Sequence, residues 1–296
     1  MKTMEVLQIT MKIIHMFQWG LGSIIPMIPK VKEQGFNAIQ ISPVQGTTFG
    51  GEWWRLYQPT NFKIGNTQIG TKEQLRELCA VANQYGIKII VDVVLRHVAG
   101  DPQNHLAPHK DVDPELLPYL CKEQIPCNNY EDRWQCTHRC TGMPMFDYNN
   151  PNYRVKVIDF LNELVDCGVW GFRLDQLKHY ALPQEGSDFL TCLQPYNFYG
   201  ECFFCDQWVL DAYSKYMKVL TDGRPSDISR LVAKFETHDD FLEFKATNRM
   251  TDHMRLVEWD VLVNHCGYNS LYYARPFEDL WMSREMKDIN GGKRYV

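Results

Sequence analysis

The sequence predicts an α/β fold, a (β/α)8 TIM barrel with a small irregular subdomain inserted after its third strand, and three observations predict it. Short apolar runs without polar alternation recur along the chain, as strands of a parallel sheet covered on both faces read. Stretches with helical spacing fall between them, the alternation of strand and crossover helix. The 296 residues, 45% of them apolar, suffice for one large domain, since such a barrel takes about 250 residues.

In order, residues 12–17 (KIIHMF) read as the first strand, 24–34 as a helix and Asn37–Ser42 as the second strand. Leu75–Tyr85 has helical spacing, and Ile87–Val94 is a nearly continuous apolar strand interrupted by Asp92. A buried carboxylate there needs partners, and Arg96 and His97 follow closely enough to be expected in that role. From Ala99 to Asn150 the rhythm breaks into Pro, Asn, Asp, His and Cys. A loop of that length is functional or a small subdomain, so 98–150 reads as a Cys-rich insertion, with 1–97 and 151–296 as the barrel. Val155–Cys167 restores a helix before a strand at Trp170–Asp175, followed by strands at Tyr196–Glu201, Lys218–Thr221, Leu231–Phe235 and 271–274. Helices are expected at Val209–Tyr216 and about 251–265.

A formal net charge of −5 gives no electrostatic case for nucleic acid. No apolar run reaches membrane-spanning length, so no membrane partner is expected. The opening MKTMEVLQITMK lacks the apolar core of a signal peptide, which points to a cytoplasmic protein. Eight Trp, 15 Tyr and 15 Phe suit stacking on flat ligands such as sugar rings, and suit a core equally well.

Candidate chemistry begins at Gly171–His179, GFRLDQLKH. Arg173 and Asp175 lie two apart on one strand and share a face, where the guanidinium is expected to hold Asp175 ionised. The pair reads as a nucleophile with its orienting cation or as a structural strand-end ion pair. Two further strands end in acids, Glu201 and Asp239. Consecutive strand ends of a closed parallel barrel share one rim, and convergent carboxylates in an aromatic-rich chain suggest glycoside hydrolysis by a pair of acids.

Four short motifs stand in order: DVVLRH (92–97), GFRLDQLKH (171–179), YGE (199–201) and FETHD (235–239). With WWRLYQP (53–59) and the run IGTKEQLRELCAVANQYGIKIIVDVV, they make the chain resemble the catalytic region of the α-amylase family, glycoside hydrolase family 13, over nearly its whole length. The resemblance implies a retaining hydrolase acting on α-1,4-glucosidic bonds of starch or glycogen, without nucleic acid or membrane partner. It makes Asp175 the nucleophile, Glu201 the general acid/base and Asp239 the third carboxylate. Arg173 would orient Asp175; His97 and His238 would bind hydroxyls of the sugar at the cleavage point, and Tyr57 would stack on it. Lys178 and His179 would line the leaving-group side, with Trp53, Trp54 and Gln58 on the other. The same motifs suit a transglycosylase or a maltooligosaccharide enzyme, and a trimmed glucan-binding or scaffolding protein is the reading outside catalysis.

Departures from the family follow the same alignment. Its structural calcium takes the asparagine of DVVxNH, here Arg96, and the aspartate of an LPDLN-like motif, here Met145 in MPMFD (143–147). Calcium wants six or more oxygens, so the site is expected to be absent, with Arg96 bridging instead to carbonyls or acids of the insertion, and no cofactor to be required. Cys121, Cys127, Cys136 and Cys140, near His138, suggest a staple, by zinc or by disulfides, with unlinked thiols as the remaining alternative. The CxxC pair Cys202 and Cys205 is a weak signal by itself. The short span from Glu201 to His238 implies a reduced sixth helix, and the end of the sequence implies no C-terminal β-sandwich domain.

Overall fold

A computed structural model of the chain describes residues 12–33, 36–50, 52–221, 226–227, 231–234 and 270–274. Its strands are β1 (Lys12–Met16), β2 (Ala38–Ile41), β3 (Gln45–Thr47), β4 (Pro59–Asn66), β5 (Gly70–Thr71), β6 (Lys88–Val93), β7 (Gly171–Leu174), β8 (Phe198–Glu201), β9 (Lys218–Thr221), β10 (Leu231–Lys234) and β11 (Ser270–Ala274). The α-helices are α1 (Leu21–Ile24), α2 (Ile28–Glu33), α3 (Lys72–Gln84), α4 (Arg133–His138), α5 (Pro151–Asp166), α6 (Phe189–Leu193) and α7 (Gln207–Tyr213).

Eight strands form one parallel sheet in the order β10-β9-β8-β7-β6-β2-β1-β11. Its two end strands, β10 and β11, curl round to within 8 Å of each other by Cα. Nearly every described strand residue of β2, β6 and β7 is buried, which is why these strands show no polar alternation. The expected helix at 24–34 is broken, because Pro26 removes a helical donor and a 3₁₀ turn, Ile25–Met27, separates α1 from α2. Between β9 and β10 lie only residues 222–230, and the helix expected at about 251–265 falls outside the described residues.

Two helices show how local chemistry sets the frame. Thr71 caps α3 in a capping box with Gln74, and Leu75, Leu78, Cys79 and Ala82 make its buried stripe. Asn150 caps α5 and Pro151 opens it, with Tyr153, Val157, Phe160, Leu161 and Leu164 facing inward. Gly168 ends that run at φ 98, and a Cβ there would sit 2.8 Å from that of Cys79.

A three-stranded antiparallel sheet, β3-β4-β5, which no apolar alternation announces, lies between β2 and α3. Beyond β6 the chain has only a 3₁₀ turn at Leu117–Tyr119 and α4 before α5 begins. This stretch is tied to the barrel by aromatic packing: Phe146 stacks on Tyr153 at 4.4 Å, and the Tyr153 hydroxyl donates to Leu95 O at 2.6 Å.

Candidate active site

Register builds the centre of the site. Asp92 on β6 pairs with Arg173 on β7, and Arg173 with Tyr199 on β8, so one layer of side chains points into the barrel. Arg173 Nη1 donates to Asp92 Oδ1 at 2.8 Å and to Asp175 Oδ1 at 3.0 Å. Its Nη2 meets Glu201 Oε1 at 2.6 Å. One guanidinium therefore gathers three carboxylates from three neighbouring strands, the fork geometry that arginine alone supplies. The Tyr57 hydroxyl donates to Asp92 Oδ2 at 2.8 Å, and Gln176, in the left-handed region at φ 54, turns its amide onto Glu201 Oε2 at 3.2 Å. Asp92's partners are thus Arg173 and Tyr57 rather than Arg96 and His97. A side chain on β6 that faces the interior meets its neighbour across the sheet, while the residues that follow in sequence leave with the connecting segment.

Asp175 is 5% exposed, and its Oδ2 has no hydrogen-bond partner among the described residues. An oxygen fixed through its twin but itself uncommitted is what an attacking carboxylate requires; burying it so is costly, which marks a functional position. The expected pull of Arg173 toward the ionised form of Asp175 is present, and it works against burial. Burial pushes the Asp175 carboxyl well above its ordinary range; Arg173 pulls it down, while Glu201 and Asp92 push it further up. Burial likewise raises Asp92 to about 6 against the pull of Arg173. Asp92 and Asp175, sharing one cation, titrate as a unit.

His97 and His179 are held neutral. Burial lowers His97 to about 4 and His179 to about 3. His97 Nε2 lies 2.8 Å from Tyr57 O, so the proton sits on Nε2 and Nδ1 is the bare acceptor. His179 Nδ1 lies 2.9 Å from Cys136 O, which fixes the opposite tautomer. Below the ordinary histidine value of 6.5 the unfolded chain binds a proton that folded His97 refuses, so this residue's contribution to stability rises with pH between about 4 and 6.5. His97→Gln keeps a donor for Tyr57 O and cannot be protonated. The stability gap between this variant and the parent should therefore shift against the parent as pH falls through that window. Melting curves at stepped pH check this; a constant gap would contradict it.

The remaining expected residues are placed as follows. Tyr57 is buried in this cluster, with the Arg173 guanidinium 5.9 Å from its ring centre. Trp53 opens the 3₁₀ turn Trp53–Tyr57; Trp54 is exposed beneath the Arg55 guanidinium at 4.6 Å, and Gln58 is half-buried at the turn's end. Lys178 Nζ lies 6.0 Å from the Tyr130 ring centre, and that ring meets His179 edge-on at 5.9 Å. His238 and Asp239 lie outside the described residues.

Residues 19–207 match the family model for the catalytic domain of α-amylase. The chain belongs to the α-amylase family. An α-amylase from Clostridium acetobutylicum is 29% identical over 94% of this chain, which spans 42% of that protein. An α-amylase-related protein from Drosophila pseudoobscura pseudoobscura is 32% identical over 57% of the chain, spanning 37% of its own length. The chain thus covers under half the length of these relatives. Among solved structures, an α-amylase I variant from Eisenia fetida in complex with maltohexaose superposes at a TM-score of 0.60, with 22% identity over 71% of this chain and 49% of its own. The Geobacillus thermoleovorans α-amylase complexed with acarbose gives 0.59 at 20% identity, over 71% of this chain and 51% of its own. At these identities the structures show the fold, the TIM barrel of the α-amylase family.

At the position that the resemblance aligns with a calcium ligand, this chain carries Arg96. Arg96 is fully buried; its Nη2 donates to Thr137 O at 2.8 Å and to Arg139 O at 3.3 Å. The guanidinium lies 4.7 Å from the Tyr148 ring centre and 5.9 Å from that of Tyr180. With a guanidinium on the Thr137 and Arg139 carbonyls and a thioether at Met145, the two residues that the resemblance aligns with calcium ligands offer no side-chain oxygen, so they do not fit calcium.

Among the described residues no group of three or more His, Cys, Asp or Glu is placed to hold a metal. Cys121, Cys127, Cys136 and Cys140 are thiols arranged as two neighbouring pairs, Cys127 with Cys136 and Cys121 with Cys140. Burial pushes the Cys121 thiol up to about 11.

Sequence reasoning missed the clip between the inserted stretch and the loop after β7. Arg133 on α4 makes a bidentate pair with Glu185, Nε to Oε1 at 2.8 Å and Nη2 to Oε2 at 2.6 Å, and donates to Tyr180 O at 2.9 Å. Fifty-two positions separate the pair, and no spacing rule signals it.

Proposed function

We propose that this chain carries a retaining glycoside hydrolase site for α-1,4-glucosidic bonds of starch- and glycogen-type glucans. The observation that carries the reading is the shared guanidinium. Asp175 and Glu201, from adjacent strand ends, are both held by Arg173, which favours the short carboxyl separation of retaining enzymes, about 5–5.5 Å. Asp175 attacks the anomeric carbon through its uncommitted oxygen while Glu201 protonates the leaving oxygen. To do so Glu201 must exchange Arg173 for the substrate. The same glutamate then deprotonates the water that releases the sugar, and Asp239 supports the charged transition state. His97, His238 and Tyr57 hold the sugar at the cleavage point, with Trp53, Trp54 and Gln58 on one side and Lys178 and His179 on the other.

Product analysis on maltoheptaose and soluble starch tests this. Shorter maltooligosaccharides from both substrates are expected. Longer products would indicate transglycosylation, and binding without products a glucan-holding protein.

No metal takes part in this reading. Arg96 supplies fixed positive charge and hydrogen bonds to the inserted stretch, and repels a divalent cation by about 1 kcal/mol per unit charge at a few ångströms even in water. The melting temperature should therefore be the same in excess EDTA as in added calcium. A rise specific to calcium would contradict the role given to Arg96.

A further inference from the structure

The turn that follows Glu201, Cys202-Phe203-Phe204-Cys205, is used by none of the chemistry above. Cys202 is fully buried and anchored by its amide to Leu220 O at 2.9 Å on β9. Its Sγ lies 2.8 Å from Cys205 Sγ. Of the residues between them, Phe203 is buried in the core, whereas Phe204 adopts a left-handed conformation at φ 52 and is 80% exposed. Cys205 is half-buried and lines an open cavity of about 380 Å³ with Tyr130, Arg133, Lys178 and Asp206. The pair is thus asymmetric, Cys202 sealed in the barrel and Cys205 on the wall of an open cavity that two cations also line.

We propose that Cys202 and Cys205 are a redox modification site, oxidised by low-molecular-weight disulfides of the glutathione class to a reversible intrachain disulfide. Cys205 loses its proton and attacks one sulfur of the incoming disulfide; that bond breaks and one thiolate leaves. Cys202 then gives up its proton and attacks Cys205 Sγ in the mixed disulfide, expelling the second thiolate. The two protein thiols lose two electrons and two protons, and the small disulfide is reduced to two thiols. Closing the sulfurs to a bond of about 2.05 Å requires a movement of about 0.8 Å from their present 2.8 Å, which the exposed turn can absorb. The order of attack follows the asymmetry: the Cys202 thiol is raised well above its ordinary value by its bond to Cys205 and by burial. The CxxC motif acquires its meaning from this placement.

Oxidation stiffens one wall of the cavity that holds Lys178. Resting on the function proposed above, it should change KM for maltoheptaose several-fold, reversibly with dithiothreitol. The deciding measurement does not need activity. The full chain is equilibrated at stepped ratios of reduced to oxidised glutathione and acid-quenched. It is then labelled with one alkylating tag, reduced, labelled with a second, and the 202–205 peptide is read by mass spectrometry. Cys202 and Cys205 should pass together from the first tag to the second as the ratio falls, and return with dithiothreitol. In Cys205→Ser, Cys202 should keep the first tag throughout. First tags on both residues at every ratio, persistent glutathione adducts, or pairing of Cys205 with Cys136 would overturn the proposal. A mapped disulfide in a protein that leaves maltoheptaose intact would instead count against the glucan reading alone.

Discussion

Asp175→Asn should turn over maltoheptaose at less than about one ten-thousandth of the parent rate while binding it with nearly unchanged affinity. The substitution removes the oxygen assigned to attack, which lacks a partner among the described residues, but little volume. It leaves Oδ1 to accept from Arg173, which now meets it at 3.0 Å. Folding should not suffer. A carboxyl whose folded value is raised above its unfolded one costs stability as pH rises past the unfolded value, so a neutral amide should leave the melting temperature at pH 7 equal or higher. Glu201→Gln should cost about 10²–10⁴-fold, the range of general acid–base catalysis, most severely with poor leaving groups. Steady-state rates, calorimetric titration with maltoheptaose and melting curves together decide. An Asp175→Asn protein within tenfold of the parent rate would remove Asp175 from the chemistry.

Arg173→Leu should be the most destabilising single change at the site. Asp92, Asp175 and Glu201 all rest on this guanidinium, and Arg173 is itself 2% exposed. Removing one member of a buried ion pair costs about 3–5 kcal/mol, because the partner charge is left uncompensated. That is a large part of a total stability of about 5–15 kcal/mol. A melting temperature lower by on the order of 10 °C, or failure to fold, is expected. The loss should shrink on acidification, since carboxyls raised in the folded state, Asp92 to about 6, take up protons and need the cation less. A variant that melts with the parent at pH 8 would show that Arg173 is not the organising charge.

The pair Arg173 and Asp175 was legible because a strand places residues two apart on one face, and Glu201 because the next strand ends in an acid. Asp92 was visible as the polar break in Ile87–Val94, but its partner was not: the register that sets Asp92 beside Arg173 joins residues 81 apart. Nearness in sequence favoured Arg96 and His97, which leave the sheet with the connecting segment. The sheet β3-β4-β5 escaped notice because PTNFKIGN opens on a proline and carries too little alternation to stand out from a loop. Four cysteines close in sequence looked like one cluster; chain direction in the inserted stretch sorts them into two pairs. Arg96 could be read as a displaced ligand from one motif position, whereas the carbonyls it takes, Thr137 O and Arg139 O, depend on folding of the insertion.

The configuration of the sugar at the moment of release tests the central claim most directly. A nucleophilic Asp175 followed by water activated through Glu201 inverts the anomeric centre twice, so the new reducing end should appear as the α anomer. Proton NMR of maltoheptaose, recorded within the first turnovers and before mutarotation, should show the α signal growing first and the β signal following at the uncatalysed rate. A β signal that grows first would mean a single displacement by water, and Asp175 would not be the nucleophile.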